Sequence, residues 1–211
     1  MSNVVEHLER HLGPISYGWA TEADGERLPF QVARFDLVPI QGVTAYSTVG
    51  FGRFPLHSTA SGSRMRLELL MMVQADQADG PFPAILQDLA GELLSSGHAI
   101  LRGDVIGPRG PLISGSDMQA LYAARPVYLP DEFATAYEDG ESVNIVWMVP
   151  ITEDEAVFVA DQGWSAFEDL LVERDPELTD FNRSSLVPPG EGRGHGEDRQ
   201  WRPPRPEWGT M

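Results

Sequence analysis

The sequence predicts an α+β fold built on a mostly antiparallel sheet. Three observations predict it. Residues 32–40 and 43–49 carry strand patterns separated by a Gln41-Gly42 turn. Val143–Val149 (VNIVWMV) is almost continuously apolar, the mark of a strand buried on both faces at a sheet centre. Apolar residues at helical spacing recur in 82–94 and again in 164–171, so paired strands, a helix, a strand and two helices follow one another.

Taken in order, the first element is a short helix. Asn3 and Glu6 have the spacing of an N-terminal cap, Val4, Val5, Leu8 and Leu12 line one side, and Gly13-Pro14 stops it. Residues 16–31 are polar and contain glycine, which predicts a loop. In 32–40, Ala33, Phe35 and Leu37 alternate with Val32, Arg34 and Asp36, and Val43–Val49 is rich in β-branched and aromatic residues. Gly50, Gly52, Pro55 and the Ser/Gly run at 58–63 predict a flexible loop. Residues 64–73 alternate again, with Met65, Leu67, Leu69, Met71 and Val73 on one face and Arg64, Arg66 and Glu68 on the other.

The strongest helix pattern comes next. Pro83 suits a first turn, Phe82, Ile85, Leu86, Leu89, Leu93 and Leu94 repeat at helical spacing, and Gly97 is a natural stop. Several glycines and prolines in 98–130 predict short strands and turns. After the central strand, Thr152 and Glu155 form a Thr-x-x-Glu capping box, and Glu153 and Asp154 suit the positive helix end. Trp164, Phe167, Leu170 and Leu171 build a further helix ending near Arg174. From Pro188 onward Pro, Gly and Arg dominate, with Trp201 and Trp208 among them; such a segment buries too little apolar surface to offset its ordering entropy. The expected organisation is one domain over 1–187 and a disordered tail over 188–211.

Composition narrows the chemistry. The 211 residues include no cysteine, which excludes thiol nucleophiles, cysteine-ligated zinc and iron–sulfur clusters. All 15 basic residues are arginine, which excludes a P-loop lysine and a Schiff-base lysine. The formal charge of −17 argues against nucleic acid and anionic membranes, both of which demand a positive footprint. No apolar run approaches the ~18 residues of a membrane span, and the N-terminus lacks the basic and apolar regions of a signal peptide. With no cysteine besides, the expected location is the cytoplasm.

Candidate catalytic groups are scattered. His7 and His11 share a helical face, but Glu9 breaks the His-Glu-x-x-His pattern, so two surface histidines are expected. His57 and His98 lie beside loops, and His195 lies in the tail. The serines at 61, 63, 114 and 116 give no Gly-x-Ser-x-Gly, Gly50-Phe51-Gly52 lacks a third glycine, and GDVIGPRG (103–110) lacks the P-loop lysine. Glu153, Asp154 and Glu155 are explained by helix capping, and Glu68, near Arg66 on its strand, by a cross-strand ion pair. No metal or cofactor is expected.

One ordered set of segments carries a family likeness. VWMVPITEDEAVFVADQGWSAFEDLL (146–171), with Pro150, Thr152, Glu155 and Gly163, leads it; Thr48-Val49-Gly50, Leu67-Glu68-Leu69, the helix at 83–96 and Arg183-Ser184-Ser185 support it. Over roughly 3–187 the chain resembles the suppressor-of-fused domain, known from animal Hedgehog signalling and as single-domain bacterial proteins. The resemblance implies a mixed sheet flanked by helices and no enzymatic activity. In animals the family protein clasps a transcription-factor peptide between this domain and a second, C-terminal one, which is not expected here, so the clasp itself does not carry over. Bacterial relatives often serve as immunity proteins.

The expected function is therefore binding of another protein, such as a basic toxin, by strand addition or docking on a patch. Glu68 and Arg183 are the partner-binding candidates. Thr152 and Glu155 as a cap, Trp147 as core filling and Gly163 as the turn between helices are the expected structural roles. Two rivals stand beside this reading: a hydrolase or small-molecule binder using Glu68, His98 or Glu155 in a pocket, and a scaffold acting through the Trp/Arg tail.

Overall fold

A computed structural model of the protein describes residues 3–21, 25, 27–36 and 38–188. The expected tail, apart from Pro188, lies outside the described residues, as do His195, Trp201 and Trp208. Helix α1 (Val4–Leu12) begins where Asn3 Oδ1 accepts the Glu6 N–H at 2.9 Å, and it buries Val4, Leu8 and Leu12. His7 departs from the surface position expected of it. It is 8% exposed, stacks on Phe133, and its Nε2 lies 3.0 Å from the Phe133 carbonyl oxygen. The helix side that reads as polar therefore packs too, because an imidazole can bury its ring while bonding one backbone atom.

The main sheet follows the order β1–β2–β3–β6–β10–β8–β7. Its strands are β1 (Ile15–Thr21), β2 (Arg27–Phe35), β3 (Val43–Val49), β6 (Leu67–Gln74), β7 (Val105–Ile106), β8 (Met118–Ala124) and β10 (Glu141–Thr152). β9 (Thr135–Glu138) pairs with the first residues of β10, and β4 (Leu56–His57) and β5 (Arg64–Met65) form a separate small pair. Every pairing in the main sheet is antiparallel except β6 with β10, where Asn144–Trp147 lie beside Leu67–Leu70. The sheet is mixed and mostly antiparallel, as the sequence and its resemblance imply.

Two sequence expectations give way. Residues 16–31 hold β1 and the start of β2 where a loop is expected. β1 is an edge strand, exposed over Ile15–Gly18; Ile15, Tyr17 and Trp19 do alternate with Ser16, Gly18 and Ala20, and the loop reading overlooks that short period-two signal. The stretch 64–73 is interrupted at Arg66, and β6 is buried on both faces from Leu67 to Val73. Leu70 and Met72 supply the second apolar face that the simple alternation overlooks.

Helix α2 (Phe82–Ser96) covers one face of the sheet and buries Phe82, Leu86, Leu89, Ala90 and Leu93 against Leu67, Leu69, Met71 and Val73 of β6. α1, α3 (Glu153–Gln162) and α4 (Trp164–Arg174) cover the other face. There Val143, Ile145, Trp147, Val149 and Ile151 of β10 alternate into the second core. β10 thus feeds both cores, and this explains its near-continuous apolar run.

Candidate functional site

Two buried polar nodes collect most of the residues singled out in the sequence. The first forms where β10 runs into α3. Thr152 Oγ1 accepts the Glu155 N–H at 3.2 Å while Glu155 Oε2 accepts the Thr152 N–H at 2.9 Å, a complete capping box. Glu155 is fully buried, and Arg183 reaches it from the C-terminal segment in a two-pronged contact: Nη1 to Oε1 at 2.6 Å and Nη2 to Oε2 at 2.8 Å. The same guanidinium donates to the carbonyls of Pro150 (3.0 Å) and Ser184 (3.2 Å), and Glu155 Oε1 also accepts the Leu186 N–H at 2.9 Å. Arg183 Nε is buried without an acceptor among the described residues.

This node is a clasp. It fastens residues 183–186 to the start of α3 through a fully desolvated ion pair whose remaining lone pairs and protons are nearly all engaged. Thr152 Oγ1 adds a bond to Ser185 Oγ at 3.0 Å. Thr152→Ala removes both the cap and that link and is expected to cost about 1 kcal/mol in urea unfolding; an unchanged midpoint would mean the cap contributes nothing. At the far end of α3, Gly163 has φ +86° and joins α3 directly to α4, a backbone that a side chain would strain.

The second node surrounds Glu68, which is fully buried. Thr48 Oγ1 donates to Glu68 Oε2 at 2.6 Å, the N–H groups of Gly50 and Gly52 donate to Oε1 at 2.9 and 3.1 Å, and Thr48 Oγ1 accepts the Leu69 N–H at 2.8 Å. Arg66 is not its ion-pair partner; its Nη1 donates to the Gly52 carbonyl at 3.2 Å instead. A side chain at residue 52 would meet Val143 Cγ1 at 2.8 Å, so this close approach of the 50–52 loop requires glycine. Burial outweighs the hydroxyl and backbone donors and raises the Glu68 carboxyl to about 7.

That shift makes a pH prediction. Below a glutamate's ordinary value both the folded and unfolded forms hold the proton and the group contributes no pH dependence. Above it the unfolded chain ionises first, so Glu68 lowers stability as pH rises from its ordinary 4.5 toward about 7 and adds nothing more beyond. Urea unfolding should show this decline in the wild type and lose it in Glu68→Gln. Parallel pH curves for the two proteins would refute it.

Glu68 and Arg183, the partner-binding candidates of the sequence, thus sit inside the molecule and tie segments together. Glu68, His98 and Glu155 have separate hydrogen-bond partners and do not converge on one pocket; His98 is exposed beside a backbone bridge to His57. Among the described residues no group of three His, Asp or Glu side chains is placed to hold a metal ion, and no helix is long and apolar enough to cross a membrane.

Sequence reasoning missed a concave site. A cavity of about 340 Å3 lies between α4, Tyr122 of β8, Trp147 of β10 and the segment following β8. Trp147 is fully buried, packs on Tyr128 with ring centres 5.0 Å apart, and its Nε1–H has no acceptor among the described residues. Tyr122 donates to Glu168 Oε1 at 3.1 Å, and Arg102 holds the same carboxylate with two guanidinium nitrogens. Burial and the adjacent carboxylate keep the Tyr122 hydroxyl far above its ordinary range, so it stays protonated. Val127 and Val172 also line the cavity, and they are 69% and 82% exposed. The one sequence signal was Val172 on the outward side of an otherwise amphipathic helix.

Comparison with known proteins gives one matching family model, a curated relative and several solved structures. The model of the suppressor of fused protein family matches residues 26–184. The immunity protein YqcF of Bacillus subtilis (strain 168) is 21% identical over 150 residues, 71% of this chain and 77% of that protein. A suppressor of fused homologue from Neisseria gonorrhoeae FA 1090 superposes with a TM-score of 0.69 at 22% identity, covering 87% of this chain and 94% of the other. A chain of the Sufu–Fu complex gives a TM-score of 0.65 at 15% identity, covering 87% of this chain and 90% of that one. Drosophila Suppressor of Fused gives 0.64 at 14%, with 87% of this chain spanning 50% of its length.

Proposed function

The chain belongs to the suppressor of fused protein family, and we propose that it is a non-catalytic protein-binding domain that neutralises a basic protein toxin inside the cell. The observation that carries this reading is the likeness to an immunity protein along 77% of that protein's length. Two features support it. The formal charge of −17 would speed encounter with a basic partner and repel nucleic acid. The buried acids that a hydrolase would need are already engaged, Glu155 by Arg183 and Glu68 by Thr48 and two backbone N–H groups. Residues 1–187 form the binding domain in this reading, and 188–211 are a tail dispensable for it.

The test is co-expression with any toxin encoded beside this gene. Restored growth and co-purification of one toxin with this chain are expected, with or without residues 188–211. Failure to rescue growth from every flanking toxin would overturn the reading.

A further inference from the structure

We infer that the cavity beside α4 seats an apolar side chain of a partner protein, presented on a segment that also carries a basic residue. This rests on the protein-binding reading and assigns it a surface. Three observations converge on one occupant. The cavity's about 340 Å3 suits one large apolar side chain with its neighbours. Val127 and Val172 extend its apolar lining outward as exposed side chains, more surface than a small molecule seated inside would cover. Tyr128, backed by the buried Trp147 ring 5.0 Å away between centres, supplies an aromatic wall for that side chain.

Charge settles the flanking chemistry. The cavity is lined by three carboxylates, Asp131, Glu168 and Asp175, and two guanidiniums, Arg102 and Arg125. Arg102 is engaged by Glu168 and Arg125 by Asp131 at 3.5 Å. Asp175, held at the end of α4 with φ 44°, is exposed and has no ion-pair partner among the described residues. A cation beside the apolar anchor would meet it. Tyr122, Glu168 and Arg102 bond to one another, so they position the wall.

The experiment uses the full chain and the double variant Val127→Asp, Val172→Asp. Both side chains are exposed, so the variant is expected to fold, which circular dichroism checks. Selection from a phage-displayed random dodecapeptide library on the wild type should enrich Leu, Ile, Phe or Trp with Arg or Lys nearby. A synthetic consensus peptide should bind the variant at least ~10-fold more weakly, a difference of about 1.4 kcal/mol, and should shift the Trp147 indole N–H resonance of the wild type. No enrichment, equal binding to both proteins, or an unmoved indole resonance would overturn the inference. Toxin co-expression separates the two ideas. Rescue by the wild type alone supports the pocket, and equal rescue by both proteins overturns it while the immunity reading stands. Rescue by neither overturns the immunity reading, and the peptide result then decides the pocket.

Discussion

Arg183→Met is expected to lower the unfolding free energy by about 3–5 kcal/mol, because it leaves the buried Glu155 carboxylate without its counter-charge. The guanidinium spans both carboxylate oxygens and also serves the Pro150 carbonyl, so one substitution removes three strong contacts. What remains for Glu155 is the Thr152 N–H and the Leu186 N–H, too little to replace water around a full charge. Arg183→Lys keeps the charge without the planar fork and should fall between the two. The double variant Glu155→Leu, Arg183→Met removes both charges and should recover part of the loss, since the penalty belongs to the unpaired ion. Urea denaturation of the four proteins measures this. A loss below ~1 kcal/mol for Arg183→Met would show that the clasp is open to water in solution.

Trp147→Ala is expected to cost a similar ~3–5 kcal/mol, by a different mechanism. The side chain is fully buried at the middle of β10, flanked by β6 on one side and β8 on the other. Its removal merges an internal void with the existing cavity of about 340 Å3 and strips the Tyr128 ring of its neighbour. A main-chain strand paired on both edges cannot move inward to fill such a space, so little of the loss relaxes away. Trp147→Phe should cost distinctly less: it keeps most of the packing, and no hydrogen bond is lost because the indole N–H has no acceptor. Calorimetry should show a fall in Tm of roughly 10 °C for the alanine variant of a chain this size. A phenylalanine variant as unstable as the alanine one would point to a hidden acceptor for the indole.

Where the sequence was legible, the signal was local. Asn3 with Glu6 and Thr152 with Glu155 announce helix starts because cap and partner lie within one turn. The apolar run through 143–149 announces a central strand because burial on both faces leaves a mark at every position. β1 left a shorter mark, Ile15, Tyr17 and Trp19 at alternate positions, set among small and polar residues that read as a loop because an exposed edge strand constrains its residues little. Pattern alone put Glu68 on the strand face shared with Arg64 and Arg66, where an ion pair is expected. Its partners are instead Thr48 and the backbone of Gly50 and Gly52, 16–20 residues away in the chain. The pairs Thr48 with Glu68 and Glu155 with Arg183 were visible only as separate pieces of a family resemblance. Nothing in their spacing said that each pair meets.

Composition, helix caps and apolar periodicity by themselves determined the α+β class, the helices and the central strand, and the absence of thiol and amine chemistry. Each of these depends on what a residue is and on neighbours within a turn or a strand. The tertiary structure alone decided that Glu68 and Arg183 are internal fasteners, that His7 is buried, and that a cavity with two exposed valines opens beside α4. Burial of a polar group turns on whether chain segments tens of residues apart supply its hydrogen bonds, and concavity turns on which side chains fail to fill a space. Neither quantity has a period along the chain.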